Sequence, residues 1–190
     1  MAKVFQFIAS GFEEVEALVP VDVFRRGGVD IKTVSVTGSN VVESSHGVKI
    51  HTDLTFGEAE PMLDDADLLM LPGGMPGASN LAAHDGVKKA LMRQAEKGGM
   101  IAAICAAPMV LGKLGLLRGR RATCYPGFED TLEGAEYTAG LVTVDGNITT
   151  GEGPAAALPY AYSLLGRLTD TANSDAVAEG MLYPHLMGKR

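Results

Sequence analysis

The chain of 190 residues has no tryptophan, only two cysteines and only four histidines, and each scarcity narrows its chemistry. Cys105 and Cys124 show neither CxxC nor metal-ligand spacing, which argues against a disulfide framework and for a reducing compartment. Basic residues are sparse, and the one cluster, Arg118-Gly-Arg-Arg121, reads as a solvated loop. A net charge of −7 disfavours broad electrostatic binding to nucleic acid or to anionic lipid, so neither is expected as a partner. No apolar run approaches transmembrane length, and a first strand starting at Lys3 leaves no room for a signal peptide. The expected location is the cytoplasm. No nucleotide-phosphate signature occurs, and no cofactor is expected.

What the chain does have is an alternation of strand-like and helix-like segments without linker or repeat, consistent with one domain over residues 1–190. Val4 to Ala9, Ile31 to Val36, Asp67 to Leu71 and Met100 to Ile104 read as buried strands. A helix is expected from about Glu13 to Arg26, ended by Gly27-Gly28, with Pro20 bending it or loosening one turn. Val87 to Lys97 reads as an amphipathic helix. Val41-Val42 and Val48 to His51 suggest a small hairpin. Leu141 to Val144 and Ile148 to Thr150 flank an Asp-Gly-Asn turn, and Ala155 to Leu168 and Ala172 to Met181 close the chain as helices. This order predicts an α/β fold, flavodoxin-like or Rossmann-like, with a mostly parallel sheet and helices on both faces. Sites in such sheets form at the carboxyl ends of strands. Glu13 to Glu16, Gly73-Gly74 and Cys105 all follow strands directly and are expected on one rim.

Cys105 is the most informative residue. It stands between an apolar strand and a stretch that favours helix, with a proline suited to a first turn. That layout is similar to a nucleophile elbow with sulfur in place of oxygen. Backbone N–H groups at a helix start favour the thiolate, so a thiol pKa below that of free cysteine is expected. The apolar surroundings support the opposite reading of a small, inert core residue.

Four segments, Gly11-Phe-Glu-Glu-Val-Glu16, Leu71-Pro-Gly-Gly74, Ala102-Ala-Ile-Cys-Ala-Ala-Pro108 and Gly151-Glu-Gly-Pro154, together resemble the ThiJ/PfpI superfamily, within the class I glutamine amidotransferase-like group. The likeness is strongest to the ThiJ branch and covers essentially the whole chain. It implies that Cys105 is the reactive cysteine and Glu16 the carboxyl group that reaches its sulfur. It also implies that the N–H groups of Gly74 and Ala106 form an oxyanion or anion pocket. Gly73, Tyr125 and Glu152 then lie on the rim. Burial is expected to raise the pKa of Glu16 enough to make it an acid donor.

The departures are as telling. Tyr125 stands where many relatives have a histidine, and a phenol is a poor base at neutral pH. Ala106 replaces the histidine that follows the cysteine in protease-like relatives. The segment Gly151 to Pro154 lacks the late histidine and glutamate of amidotransferases. No thiol–imidazole dyad is therefore expected, which counts against peptide or glutamine hydrolysis. Glu152 stands where the ThiJ branch often has arginine. Cys124 reads as a buried strand residue facing away from the site, with a resolving thiol as the alternative. His46 and His51 lack a third ligand, so no metal is expected.

Two functions remain open. In one, Cys105 attacks a small dicarbonyl such as methylglyoxal, or its early adducts, and Glu16 shuttles the proton, as in a glyoxalase or deglycase. In the other, peroxide oxidises Cys105 to sulfinate in a redox sensor or chaperone-like protein. The resemblance further implies a homodimer paired through Val15 to Phe24 and Val41 to His51, with Arg26 and His46 near the partner's cysteine rim. The first helix supports this, because its apolar residues cannot all face one sheet.

Overall fold

A computed structural model describes residues 1–188 of the chain. Its elements, in order, are β1 (Lys3–Ile8), α1 (Glu14–Arg26), β2 (Asp30–Ser35), β3 (Val41–Glu43), β4 (Lys49–His51), β5 (Leu54–Thr55), α2 (Phe56–Ala59) and β6 (Leu68–Leu71). There follow α3 (Gly77–Ala83), α4 (Asp85–Glu96), β7 (Met100–Ile104), α5 (Pro108–Lys113), β8 (Arg121–Ala122) and β9 (Glu136–Tyr137). The chain continues through β10 (Val142–Asp145), β11 (Ile148–Gly151), α6 (Ala157–Leu168), α7 (Thr171–Gly180) and α8 (Tyr183–Leu186).

The main sheet has seven strands in the order β10-β11-β7-β6-β1-β2-β5. Every neighbouring pair is parallel except β10 and β11. Its longer parallel strands therefore run second, first, third, fourth, fifth, which is the flavodoxin-like order. Parallel strands buried on both faces read as unbroken apolar runs, and Leu68-Leu-Met-Leu71 is buried at every position. Helices α1 and α6 pack together over one face, while α3, α4 and α5 belong to the other. The order reverses at β1 and β6, so the segments leaving these two strands diverge and open a crevice between them.

The expected elements are present, with bounds shifted by one or two residues. Helix α1 runs on through Pro20, which is buried inside it. Proline removes the N–H that the Glu16 carbonyl would have accepted, and its ring crowds that carbonyl. The hairpin β3–β4 forms a separate antiparallel pair and does not join the main sheet. It sits over the start of α1, where Val42 and Ile50 pack with Ile8, Phe12 and Ala17. Helix α3 falls in a stretch that had no expected structure. Its sequence Gly-Ala-Ser-Asn-Leu-Ala-Ala carries little apolar periodicity, and only Gly77, Ala78 and Leu81 are buried. The expectation that Cys124 lies in a strand is corrected. Strand β8 ends at Ala122, and Cys124 follows it, fully buried, outside regular structure.

Candidate active site

Cys105 follows β7 directly and has φ = 65°, a left-handed conformation that side chains other than glycine rarely adopt. Neighbouring backbone holds it there. Its N–H donates to the Gly151 carbonyl at 2.9 Å, and its own carbonyl accepts the Tyr125 N–H at 2.9 Å. Strain of this kind persists where the surroundings over-determine it. The turn lifts the sulfur to the edge of the crevice, where the residue keeps 8% of its surface exposed.

Glu16 comes from the first turn of α1. Glu13 caps that helix by accepting the Glu16 N–H at 2.8 Å. The Glu16 side chain turns inward, 1% exposed, and its Oε2 accepts the Gly73 N–H at 2.8 Å. The Gly73 carbonyl in turn accepts the Glu13 N–H at 3.0 Å. Residue 73 must be glycine, since a Cβ there would lie 2.6 Å from Cys105 Cβ and 2.7 Å from Glu16 Oε2. Gly74 has φ = 85°, which glycine adopts without strain.

Cys105 and Glu16 titrate as a pair. Burial, aided by the Glu13 charge and opposed by bonds to Cys105 and Gly73, raises the carboxyl to about 7. With Glu16 ionised, burial and then the adjacent carboxylate push the Cys105 thiol up to about 12. The expectation of a depressed thiol pKa is therefore corrected for that state. The six-residue α5 begins only at Pro108, and the sulfur lies buried beside a carboxylate. The Gly74 and Ala106 N–H groups do pull the thiol down, but less than burial raises it. When the shared proton sits on Glu16, the repulsion disappears and the carboxyl can donate to the sulfur. The thiolate form is thus one tautomer of a singly protonated pair.

The Glu16 shift has a consequence for stability. The native state binds this proton more tightly than the unfolded chain, so stability falls as pH rises from about 4.5 to about 7. The fall amounts to roughly 3 kcal/mol at 1.36 kcal/mol per pKa unit. Glu16→Gln is expected to lose this dependence and to be more stable than wild type above neutrality. Urea denaturation at pH 4.5 and 8 measures it, and identical pH dependence in both proteins would contradict it.

The remaining candidates fall into two groups. Tyr125 is 46% exposed and lies over Gly153, beside Glu152. These residues line a shallow cavity of about 240 Å³ with Pro126, Pro154 and Ala156. Cys124 lies beneath this rim, where burial and then the charges of Glu129 and Glu152 push its thiol up to about 11. Both cysteines are free. Arg26 is not brought to the site within the chain. It lies at the far end of α1, roughly 15 Å along the axis from Glu16, and pairs with Asp22 at 2.9 Å. His46 does meet other ligand types, though not His51, which corrects the reading that it has no further ligands beside it. Its Nδ1 lies 3.0 Å from Glu14 Oε2, and that bond raises the imidazole pKa. Glu13, Glu14 and His46 converge within 4.8 Å at the exposed start of α1. Glu13 was not singled out in the sequence, because three acids in a first turn look like a solvated helix start.

The chain matches the DJ-1/PfpI family over residues 2–167. It is 38% identical over 168 residues to Protein DJ-1 homolog B of Arabidopsis thaliana, covering 87% of this chain but only 38% of that relative's length. A deglycase of Pyrococcus horikoshii is 31% identical over 155 residues, covering 80% of this chain and 91% of the relative. Among solved structures, a DJ-1 superfamily protein of Salmonella typhimurium superposes with a TM-score of 0.92 at 36% identity, covering 97% of this chain and 100% of that one. The family match spans most of the chain and the fold superposes closely on a member of the superfamily, so the chain belongs to the DJ-1/PfpI family.

Proposed function

We propose that the protein is a cysteine-dependent glyoxalase or deglycase-like enzyme acting on small dicarbonyls such as methylglyoxal, or on their early adducts. The observation that carries this reading is a carboxyl group with a pKa near 7 held against an elbow cysteine. A group that titrates near neutrality can both give and take a proton at working pH. The Cys105 thiolate attacks the aldehyde carbon and forms a C–S bond, and the oxygen takes the Glu16 proton to give a hemithioacetal. Glu16 then removes the C–H proton from that carbon, giving an enediol in which the former ketone oxygen gains a proton, and returns the proton to the adjacent carbon while the first oxygen gives up its own to become the thioester carbonyl. The product is a thioester of a hydroxy acid, which water cleaves to lactate and free thiol. The former aldehyde carbon is oxidised and its neighbour reduced, so no external oxidant is needed. The Gly74 and Ala106 N–H groups, aimed at the sulfur, are suited to developing negative charge beside it. That relatives carry the name deglycase supports the reaction class.

The test is lactate formation from methylglyoxal by the purified protein. Glu16→Gln is expected to lower kcat by about 10²- to 10⁴-fold, the usual weight of a general acid–base. An unchanged kcat would remove Glu16 from the chemistry.

A second reading, oxidation of Cys105 to sulfinate, draws support from the same pocket. Glu16 Oε1 is buried without a partner, and a protonated Glu16 with two N–H groups suits sulfinate oxygens. Mass spectrometry after graded peroxide distinguishes it, with Glu16→Gln expected to alter the product ladder.

A homodimer is part of the proposal, as is the cytoplasm, whose reducing conditions suit two free thiols. No helix among the described residues is long and apolar enough to cross a membrane. Val15 and Leu18 on α1 are 44% and 41% exposed, and Val41 and Val48 beside the same helix are 42% and 44% exposed. These side chains form an apolar surface suited to a twofold partner. That pairing is what would bring Arg26 and His46 toward a second cysteine rim. Light scattering is expected to give twice the 19.8 kDa chain mass, and Leu18→Arg to give the monomer. A wild-type monomer would overturn the assembly.

A further inference from the structure

The cavity beside Tyr125 and Glu152 is tied to the elbow through the backbone of Cys105. Gly151 stands in register with Ile104 across β11 and β7, and its carbonyl accepts the Cys105 N–H at 2.9 Å. Glu152, the next residue, is therefore level with Cys105 at a strand spacing of roughly 5 Å. On the other side, the Cys105 carbonyl accepts the Tyr125 N–H at 2.9 Å. Both residues are themselves held. The Glu152 N–H donates to the Leu141 carbonyl at 3.0 Å. The Tyr125 ring lies against Gly153, where a Cβ would stand 3.1 Å from Cδ2.

The charge of this cavity has one sign. No lysine, arginine or histidine lines it, and half-buried Glu152 has no salt-bridge partner among the described residues. Prolines and an alanine form its other walls, so the carboxylate meets little competition from neighbouring polar side chains. Glu129, in the loop after Tyr125, adds a second carboxylate nearby and accepts the Gly127 N–H at 2.8 Å. A half-exposed aromatic ring beside a carboxylate that no cation neutralises suits ammonium and guanidinium groups. Free methylglyoxal is uncharged and gains nothing from such a neighbour, whereas an adduct carries the charge of the molecule that bears it.

We propose that Tyr125 and Glu152 form a cation subsite beside Cys105, and that it selects dicarbonyl adducts borne by ammonium- or guanidinium-bearing molecules over adducts borne by anions. The cationic tail of the adduct rests between ring and carboxylate while its reacting carbon meets the sulfur. The selection among adducts rests on the dicarbonyl reading above, and the subsite itself only on the geometry around Cys105.

Modification of Cys105 by three alkyl methanethiosulfonates, carrying a trimethylammonium, a hydroxyl or a sulfonate, tests the subsite without turnover. Each transfers its alkylthio group to the thiolate and releases methanesulfinate, and peptide mass spectrometry separates Cys105 from Cys124. Normalising to the neutral reagent removes any change in the thiol itself. At low salt the cationic reagent is expected to outrun the anionic one by about tenfold, a surface charge effect that salt weakens. Glu152→Gln is expected to lower this ratio about threefold, and Glu152→Arg to bring it below one. Tyr125→Leu is expected to slow the trimethylammonium reagent about threefold. Glu96→Gln removes the same charge at the end of α4, just before β7 begins at the opposite pole of the sheet, and is expected to leave the ratio unchanged. A ratio indifferent to Glu152→Arg, or changed equally by Glu96→Gln, would overturn the subsite, and an unchanged rate in Tyr125→Leu would remove the tyrosine from it. Turnover of the methylglyoxal hemithioacetals of thiocholine and 3-mercaptopropionate, at matched free methylglyoxal, then tests selection, with the cationic adduct expected to have the higher kcat/KM. If the reagents discriminate but methylglyoxal yields no lactate, the enzyme reading falls and the subsite stands. If lactate forms but both adducts react equally, the selection falls.

Discussion

Cys105→Ala is expected to reduce methylglyoxal turnover by about 10³-fold or more, the scale seen when an enzyme loses its nucleophile. The backbone makes a second, independent prediction at the same position. Glycine in place of alanine normally destabilises regular structure by about 0.5–1 kcal/mol. At φ = 65° that order should invert, since a Cβ strains the left-handed conformation and glycine does not. Cys105→Gly is thus expected to exceed Cys105→Ala in stability by about 1 kcal/mol, although neither has a sulfur. Urea midpoints measure this. Alanine equal to or better than glycine would mean that the elbow is not strained at residue 105. Full turnover in either variant would exclude Cys105 as the nucleophile.

Gly73→Ala carries the other large effect, and it acts by volume. The added methyl would stand 2.6 Å from Cys105 Cβ, 2.7 Å from Glu16 Oε2 and 2.8 Å from the Ile104 carbonyl. All three are nearer than van der Waals contact allows, and two belong to the reacting pair. The carboxyl group must then leave its place against the sulfur, or the elbow must shift. Overpacking of this kind destabilises by roughly 1–3 kcal/mol. A displacement of about 1 Å at a reacting centre can cost about 10²-fold in rate. Gly57→Ala is the matched control, because nothing lies within 4 Å of a Cβ built there. It is expected to leave turnover unchanged. Equal effects of the two substitutions would show that the space between Cys105 and Glu16 is not limiting.

The crowding at Gly73 also shows how far the chain could be read without coordinates. Leu71-Pro-Gly-Gly74 marked a tight loop after a strand, and the loop is there. What makes glycine obligatory at 73 is the approach of Glu16, 57 residues earlier in the chain. No local pattern carries that distance. Glu16 itself sits among Glu13, Glu14 and Val15, and only its inward turn beneath the Gly73 N–H separates it from a solvated first turn. Tyr160 is a similar case. In sequence it is one aromatic of a closing helix, and only the folded packing sets it against Gly151, whose carbonyl holds the Cys105 N–H.

Local sequence determined the elements and their order, because apolar periodicity, glycine stops and an elbow proline act over a few residues at a time. From these came the mostly parallel sheet with helices on both faces and the meeting of three strand-end segments on one rim, while the choice of the flavodoxin-like strand order over a Rossmann-like one came only with the folded sheet. The hairpin and the continuous apolar strands were legible for the same reason. Tertiary structure alone decided the electrostatics. The positive φ of Cys105 is enforced by bonds to Gly151 and Tyr125, which are remote in sequence. The thiol pKa ran opposite to the local expectation for a related reason. The Gly74 and Ala106 N–H groups pull toward thiolate, but burial and a carboxylate delivered from α1 push the other way more strongly. Charge interactions and desolvation depend on which distant groups share a small, dry volume, and only the folded packing sets that.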